Sequence, residues 1–413
     1  MSANRTFYLT TAIFFFAFSL SALASDSWES IGVSTQSLGR GGADVAVGDS
    51  ALSQVQNPAT LSLSPRNYGL VDLGGQILLP TVTWSTPQDS STSRSINTFG
   101  NFALTAPINP RLTLGLALYS KAGAKTDYHI RHLLIPYKSQ HVFGDFENGA
   151  FLFNAAYKLT DKLSLGAGLR IEELSGKFNA VFGPSDLNIH RVWAFGGGYQ
   201  LGLHYQATKK LTFGLGYLSP SWMNNTRDGQ IDLTVPRAGL LNLGNGNLSN
   251  WQLPQKINLG SAYDLTAWWK LIGETRWINF RHSFLNETTL DVPDFFNIRF
   301  PFDLKFNDLW VFIIGSEFKL SDRWKLDVGY NYTTNPVSND RMFPLAPTPI
   351  QHHISMGLRY EKSNWWVGGG YIYGFKNSQS APGISKILFG NDYGLGTIAS
   401  QQHSLFFGVG FHW

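Results

Sequence analysis

The chain has 413 residues, of which only 15% are charged while 14% are aromatic, and it carries a formal net charge of +4. A soluble chain usually has about 25% charged residues, so part of this exterior faces something apolar, yet a mean hydropathy of −0.10 excludes a bundle of membrane helices. No Lys/Arg run interleaved with aromatics is present, which leaves no basis for nucleic-acid binding, and the absence of cysteine agrees with export to an oxidising compartment.

Residues 1–24 read as a secretory signal peptide. Arg5 is the only charge, Phe7 to Leu20 is apolar, and Ala22-Leu23-Ala24 supplies small residues for cleavage. A spanning helix needs about 20 apolar residues, and no later run reaches that length. Residues 25–65 are rich in Gly, Ser, Ala and Gln, with Trp28 as a lone large aromatic. The stretch Leu38 to Asp44 has the glycines of a phosphate loop but lacks the flanking strand and helix that such a loop needs. Asn57-Pro58-Ala59 marks a turn, because proline fixes φ and has no amide proton.

From residue 66 the chain alternates apolar and polar with the period of a strand that has one greasy face. Trp324, Leu326, Val328, Tyr330 and Tyr332 share one face; Leu163, Leu165, Leu169 and Ile171 form another, as do Trp310, Phe312 and Ile314. Tight turns are expected at 108–111, 159–162, 207–210, 265–268, 320–323 and 361–364. Long connections alternate with them near 86–93, 127–145, 177–189, 221–250, 285–307, 335–349 and 377–400. The resulting architecture is an all-β transmembrane antiparallel barrel of about 14 strands over residues 66–413, preceded by a plug at 25–65. Closure is obligatory, since an open edge would leave backbone groups unpaired in hydrocarbon. The last strand places Leu405, Phe407, Val409, Phe411 and Trp413 on one face and ends on an aromatic.

The N-terminal segment holds Ser37-Leu38-Gly39-Arg40-Gly41-Gly42-Ala43, Gly48-Asp49-Ser50-Ala51 and Asn57-Pro58-Ala59. Tyr217-Leu218-Ser219-Pro220, Trp251-Gln252-Leu253-Pro254, Trp268 through Trp277 and Asn335-Pro336-Val337 follow along the wall. In this order they resemble the motifs of the long-chain fatty acid transporters of the bacterial outer membrane and their aromatic-hydrocarbon-uptake relatives. Thr60 stands where the family usually has glycine after Asn-Pro-Ala, and Gly48-Asp49 where it often has paired acids. The resemblance implies passive uptake of hydrophobic molecules by capture on outer loops, binding in the lumen and release sideways through the wall, with the hatch moving. Its hatch residues would be Gly39, Arg40, Gly41, Asp49, Asn57, Pro58 and Ala59. Expected partners are fatty acids or hydrocarbons, outer-membrane lipid with lipopolysaccharide, and the barrel-assembly machinery; no cofactor is implied, and the chain would act as a monomer.

Leu133, Leu134, Ile135 and Phe143 in one outer loop, and Phe178, Val181 and Phe182 in another, are apolar enough for a docking groove, or for packing on one another to cap the barrel. Ile384, Ile387, Leu388 and Phe389 form a third such stretch. A buried carboxylate head group would need a cation, and alternation turns Arg170, Arg276, Lys325 and Arg359 inward. The plainer reading pairs these with the inward acids Glu172, Glu274, Glu317 and Asp327. Gly123, within Ala122-Gly123-Ala124, suits a strand kink at the lateral opening. Catalytic signals are weak: His129 with His132, and His352 with His353, lack a third metal ligand by spacing, and no Gly-x-Ser-x-Gly elbow occurs. A general porin and an outer-membrane lipid hydrolase are the competing functions.

Overall fold

A computed structural model describes residues 28–64, 68–132, 135–182, 185–224, 229–294, 296–302, 304–345, 347, 350–383 and 396–413. Strand pairing closes residues 70–412 into one antiparallel wall of fourteen strands. Numbering the wall strands alone, they are β1 (Leu70–Ser85), β2 (Asn97–Pro107), β3 (Leu112–His132), β4 (Ile135–Lys158), β5 (Leu163–Phe182), β6 (Ser185–Gln206) and β7 (Leu211–Leu218). The second half comprises β8 (Lys256–Asp264), β9 (Trp269–Ile278), β10 (Leu309–Lys319), β11 (Trp324–Thr333), β12 (His352–Lys362), β13 (Trp365–Ser380) and β14 (Thr397–His412). The ring closes where β14 pairs with β1 from Leu70↔His412 to Ser85↔Thr397. The two ends of the wall, Leu70 and His412, therefore meet on the short-turn side.

The turns form where they were expected, for a reason local to each. In the first five turns the second residue uses its side chain to accept amide protons ahead of it, a turn chemistry typical of Asn, Ser and Thr. Asn109 accepts from Arg111 and Leu112, and Thr160, Thr208, Thr266 and Ser321 do the same in their turns. The last turn is shorter than predicted, Ser363-Asn364 only, because β12 runs through Lys362.

Alternation sorts the faces as the sequence required. On β10, Trp310, Phe312 and Ile314 are exposed while Val311 and Ile313 are buried, and the same division holds for Leu165, Leu169 and Ile171 on β5 and for Leu405, Phe407 and Phe411 on β14. Tyr157, Tyr205, Tyr263, Trp268, Trp324 and Trp413 ring the short-turn end with exposed aromatic side chains, the position of a membrane-interface girdle.

Two predicted outer loops prove to be strand. The stretches 127–145 and 177–189 extend β3–β4 and β5–β6 upward, with ladders running to His132↔Ile135 and Phe182↔Ser185. Inward Tyr128, Ile130 and Val142 are buried while Asp127, His129 and His141 on the other face are exposed. Period-two alternation thus persists with the outer face turned polar, and that polarity gave the stretches the look of loops. Residues 221–250 also contain a hairpin, Gly229–Val235 with Gly239–Ser249, which pairs onto β6 through Ile231↔Ile189.

Residues 28–64 lie inside the bore. They comprise a short helix, α1 (Thr35–Gly39), and two 3-10 turns, Ala51–Val55 and Pro58–Leu63. Each start is capped by a side-chain oxygen: Ser34 in a capping box with Ser37, Ser50 on the Leu52 amide, and Asn57 on the Ala59 amide with Pro58 at the first position. Wall strands on several sides anchor the segment through its main chain. Asn331 donates to Gly41 O, Ser355 to Gly39 O, Gln200 to Gln54 O, and Asn258 to Gln56 O. The wall itself makes room. A Cβ at Gly214 would collide with the Val45 carbonyl and one at Gly329 with the Arg40 and Gly41 backbone, so segment and wall touch main chain to main chain.

Candidate functional site

The wall is interrupted between β2 and β3. Their ladder runs from Pro107↔Thr113 to Asn101↔Tyr119 and stops, while β2 continues its pairing with β1 up to Leu78↔Asn97. The cause lies in β3, where the register with β4 slips between Ser120 and Ala122, leaving Lys121 as an extra residue. An extra residue in one strand bends it and swaps which alternate residues face inward. Accordingly Thr113, Ala117 and Tyr119 are buried below the slip, and Ala124, Thr126 and Tyr128 above it. Gly123, predicted as a kink residue, lies just above this break. Ser120 bridges the two strands with its hydroxyl, donating to Gly100 O at 3.3 Å.

The N-terminal stretch covers the freed edge. Glu29 forms an antiparallel bridge with Ala122; Ser30 N donates to Lys121 O and Gly123 N to Trp28 O, both at 3.3 Å. Glu29 is held there by the Lys256 ammonium at 2.7 Å. Burial alone would raise this carboxyl, but Lys256, helped by Lys121, more than offsets that and keeps it below the usual range.

Above this contact is a small apolar cavity of about 60 Å³. Trp28, Phe146, Phe178, Trp251, Phe284 and Phe343 form much of its lining. Phe284 stacks on Trp251 with ring centroids 5.1 Å apart and meets Trp28 edge-on at 5.7 Å. A smaller space beside it shares Trp28, Phe146 and Phe284 and reaches Lys121, Ala122 and Gly123, so the cavity adjoins the wall break.

The structure separates the predicted groove residues. Phe178 faces inward and lines the cavity instead of an outer loop. Phe143 is on the outer side of β4, with the Lys177 ammonium 4.9 Å from its ring centroid. Ile135, Val181 and Phe182 belong to strands, because the ladders extend that far, but their side chains lie outside the described residues, as do Leu133, Leu134, Ile384, Ile387, Leu388 and Phe389. The signal peptide expected at 1–24 also lies outside them.

All four inward cations have acidic partners. Arg170 Nε is 2.7 Å from Glu172, which also takes the Lys121 ammonium at 3.1 Å. Arg276 Nε is 2.7 Å from Glu274, and its Nη1 donates to Ile31 O at 2.6 Å. Glu274 in turn accepts from the Asp44 and Val45 amides at 2.7 and 2.9 Å, so this wall pair grips the plug. Arg359 reaches Glu317 at 2.8 Å and Glu361 at 2.7 Å, and Lys325 pairs with Glu361 at 2.9 Å.

Of the predicted hatch residues, Gly39, Arg40, Gly41 and Asp49 gather at or beside that last cluster, while Asn57, Pro58 and Ala59 lie against β5 and β6. Arg40, buried in the plug, donates to Asp49 at 2.8 and 3.0 Å and approaches Asp44 at 3.4 Å and Glu317 at 3.8 Å. Asp49 is also 3.6 Å from Arg359. Burial would raise Asp49, but Arg40 and then Arg359 outweigh it and hold the carboxyl well below the usual range. At Asp44 burial wins over Arg40, and the carboxyl is pushed up to about 7. Gly39 packs on Gly357, Gly41 (φ +72°) lies against Tyr330, and Ala59 against Gly166. Asn57 donates to Val45 O at 2.8 Å and Leu203 O at 3.0 Å.

The sequence reading passed over Glu29, Lys121, Phe146 and Phe284, and took Trp251 only as part of a family motif. The one available signal was Trp28, a large aromatic in a segment otherwise built of small and polar residues. Among the described residues no helix is long and apolar enough to cross a membrane, and no group of three acidic or histidine side chains is arranged to hold a metal.

Comparison with known proteins agrees with this geometry. Residues 30–380 match the family described as outer membrane protein transport protein (OMPP1/FadL/TodX). Among solved structures, the chain is similar to the Pseudomonas putida toluene transporter TodX, at 15% identity and TM-score 0.78, covering 93% of this chain and 99% of that one. It is also similar to a Pseudomonas aeruginosa FadL homologue (15%, TM-score 0.76) and to the Ralstonia pickettii toluene transporter TbuX (16%, TM-score 0.75), each with the same 93% and 99% coverage. No curated protein sequence matches significantly.

Proposed function

The chain belongs to the OMPP1/FadL/TodX family of outer membrane transport proteins, and from that membership we propose that it admits hydrophobic molecules passively, by binding them in the cavity and releasing them sideways through the β2–β3 break. Its place is the bacterial outer membrane, and family and fold are those of transport channels. Long-chain fatty acids and aromatic hydrocarbons are the substrate classes in view; structural relatives are described as toluene transporters and a FadL homologue.

The observation that carries the reading is the contiguity of three features: an apolar cavity, a break in the wall, and the Trp28–Ser30 stretch that covers the break from inside. An apolar solute entering the cavity gains about 0.8 kcal/mol per buried methylene and needs no energy source. Withdrawal of Trp28–Ser30 would expose β3 above Lys121 and open the cavity towards the bilayer. In this reading the hatch residues Gly39, Arg40, Gly41, Asp49, Asn57, Pro58 and Ala59 hold the remainder of the plug while the stretch before them moves. The outer strand ends around Phe143 are where solute would first dock. The occupied bore disfavours a general porin for hydrophilic solutes.

Deleting Lys121 tests the proposal. It removes the extra residue, keeps the inward and outward sets on either side of it, and lets the β2–β3 ladder continue past Asn101↔Tyr119. Uptake of a labelled hydrophobic solute by cells expressing the variant should fall at least to the level of the empty strain, while the heat-modifiable gel shift of a folded barrel persists. Unchanged uptake by a folded variant would refute lateral release at this site.

A further inference from the structure

The cavity lining holds three polar side-chain atoms, Nε1 of Trp28, Nε1 of Trp251 and Oγ1 of Thr288, and all three are buried with no hydrogen-bond partner. The residues are 7%, 4% and 4% exposed. Buried polar groups are almost always paired, because an unmade hydrogen bond there carries its full desolvation cost. These are all of the polar side chains in the lining, so none of them is satisfied by the protein around it. An indole N–H can only donate, whereas a threonine hydroxyl donates or accepts. Whatever satisfies both tryptophans must therefore accept.

The remainder of the lining is hydrocarbon, much of it aromatic rings, so the body of the occupant is apolar. Charge limits its head. A buried carboxylate needs a cation, and the two ammonium groups nearest the adjoining space are engaged: Lys121 by Glu172 at 3.1 Å and Lys256 by Glu29 at 2.7 Å. Glu29 and Glu147, which also line that space, are paired in turn with Lys256 and Arg191, so neither ammonium is spare for an incoming anion.

We propose that the cavity selects an uncharged, compact, largely apolar molecule bearing one acceptor oxygen, such as an aryl ketone or ester, held by the indole N–H groups of Trp28 and Trp251 with Thr288 beside them. This rests on the cavity being the transport pocket. It narrows the solute from hydrophobic molecules in general to those with a carbonyl-type acceptor and no charge.

The test uses the full mature chain in detergent and three probes of similar shape: acetophenone, isopropylbenzene and benzoate. Binding is measured by calorimetry for the wild type, Trp251→Phe and Thr288→Val. Trp251→Phe deletes the N–H and keeps an aromatic ring. Acetophenone affinity should fall about three- to tenfold in this variant, one hydrogen bond's worth, while isopropylbenzene changes by less than about twofold. Thr288→Val should show the same asymmetry and stands in if Trp251→Phe fails to fold. Equal changes for the two neutral probes would overturn the proposal and leave hydrophobic transport intact, as would benzoate binding the wild type more tightly than acetophenone. If none of the three binds the folded wild type, the transport pocket reading falls as well.

Discussion

Replacing Arg40 with methionine should release the plug locally without unfolding the barrel. The guanidinium is fully buried and makes hydrogen bonds of 2.8 and 3.0 Å to Asp49, with Asp44 and Glu317 close behind. Arg40 and Arg359 together face Asp44, Asp49, Glu317 and Asp327. After the substitution Arg359 faces these acids alone. Breaking a buried ion pair by removing one partner costs about 3–5 kcal/mol, which corresponds to an increase of roughly 150- to 5,000-fold in the population of the undocked stretch. Hydrogen exchange reads this directly. The Leu38, Gly42 and Val47 amides, which donate to Ser34, Ser37 and Asp44 carbonyls, should lose protection by about that factor. Thr60, anchored elsewhere through Asn57, should keep it. Adding Asp49→Asn should restore more than half of the loss, since it removes the stranded charge. Unchanged protection at Leu38 and Gly42 in the single variant would refute the claim that this cluster holds the plug.

Three further outcomes follow from the same geometry. Asp44 keeps its proton in the docked plug up to about pH 7 but loses it near 3.8 when exposed, so docking should be strongest at acid pH and weaken as pH rises through that window; Asp44→Asn should flatten the dependence, checked by protease accessibility of residues 28–64 between pH 5 and 8. Gly329→Val drives a side chain into the Arg40 and Gly41 backbone, and should raise steady ion conductance in planar bilayers while the heat-modifiable shift remains. Leu169→Arg places a charge on the lipid-facing side of β5, where Leu169 is 64% exposed, and should weaken folding into vesicles by about 2–4 kcal/mol; Leu159→Arg in the adjacent turn should cost far less, and equal losses at the two sites would count against the membrane placement.

The wall was legible because its rules are local. Asn109, Thr160, Thr208, Thr266 and Ser321 each cap their own turn, and alternation assigns each strand face without knowledge of its neighbours. Arg170 with Glu172 and Arg276 with Glu274 are two residues apart on one face, so those pairings could be anticipated. Arg40 with Asp49 could not, since it depends on how the plug folds back, and Glu317 could be anticipated only as one of several inward acids, because which of them meets Arg359 depends on the order of strands around the wall. The ends of β3 to β6 were misread as loops because a strand standing clear of the membrane carries polar residues outward, and loops look the same. Phe178 was misassigned for that reason. The cavity was invisible because Trp28, Phe146, Trp251 and Phe284 come together from segments far apart in the chain.

The close approach of Gly214 and Gly329 to the plug backbone has a physiological corollary. A gasket of peptide groups pressed against peptide groups leaves little room for a column of water, and without such a column neither protons nor hydrated salts, nor water-soluble antibiotics, have a route to the periplasm. An outer membrane carrying many copies of this barrel would then stay closed to hydrated solutes.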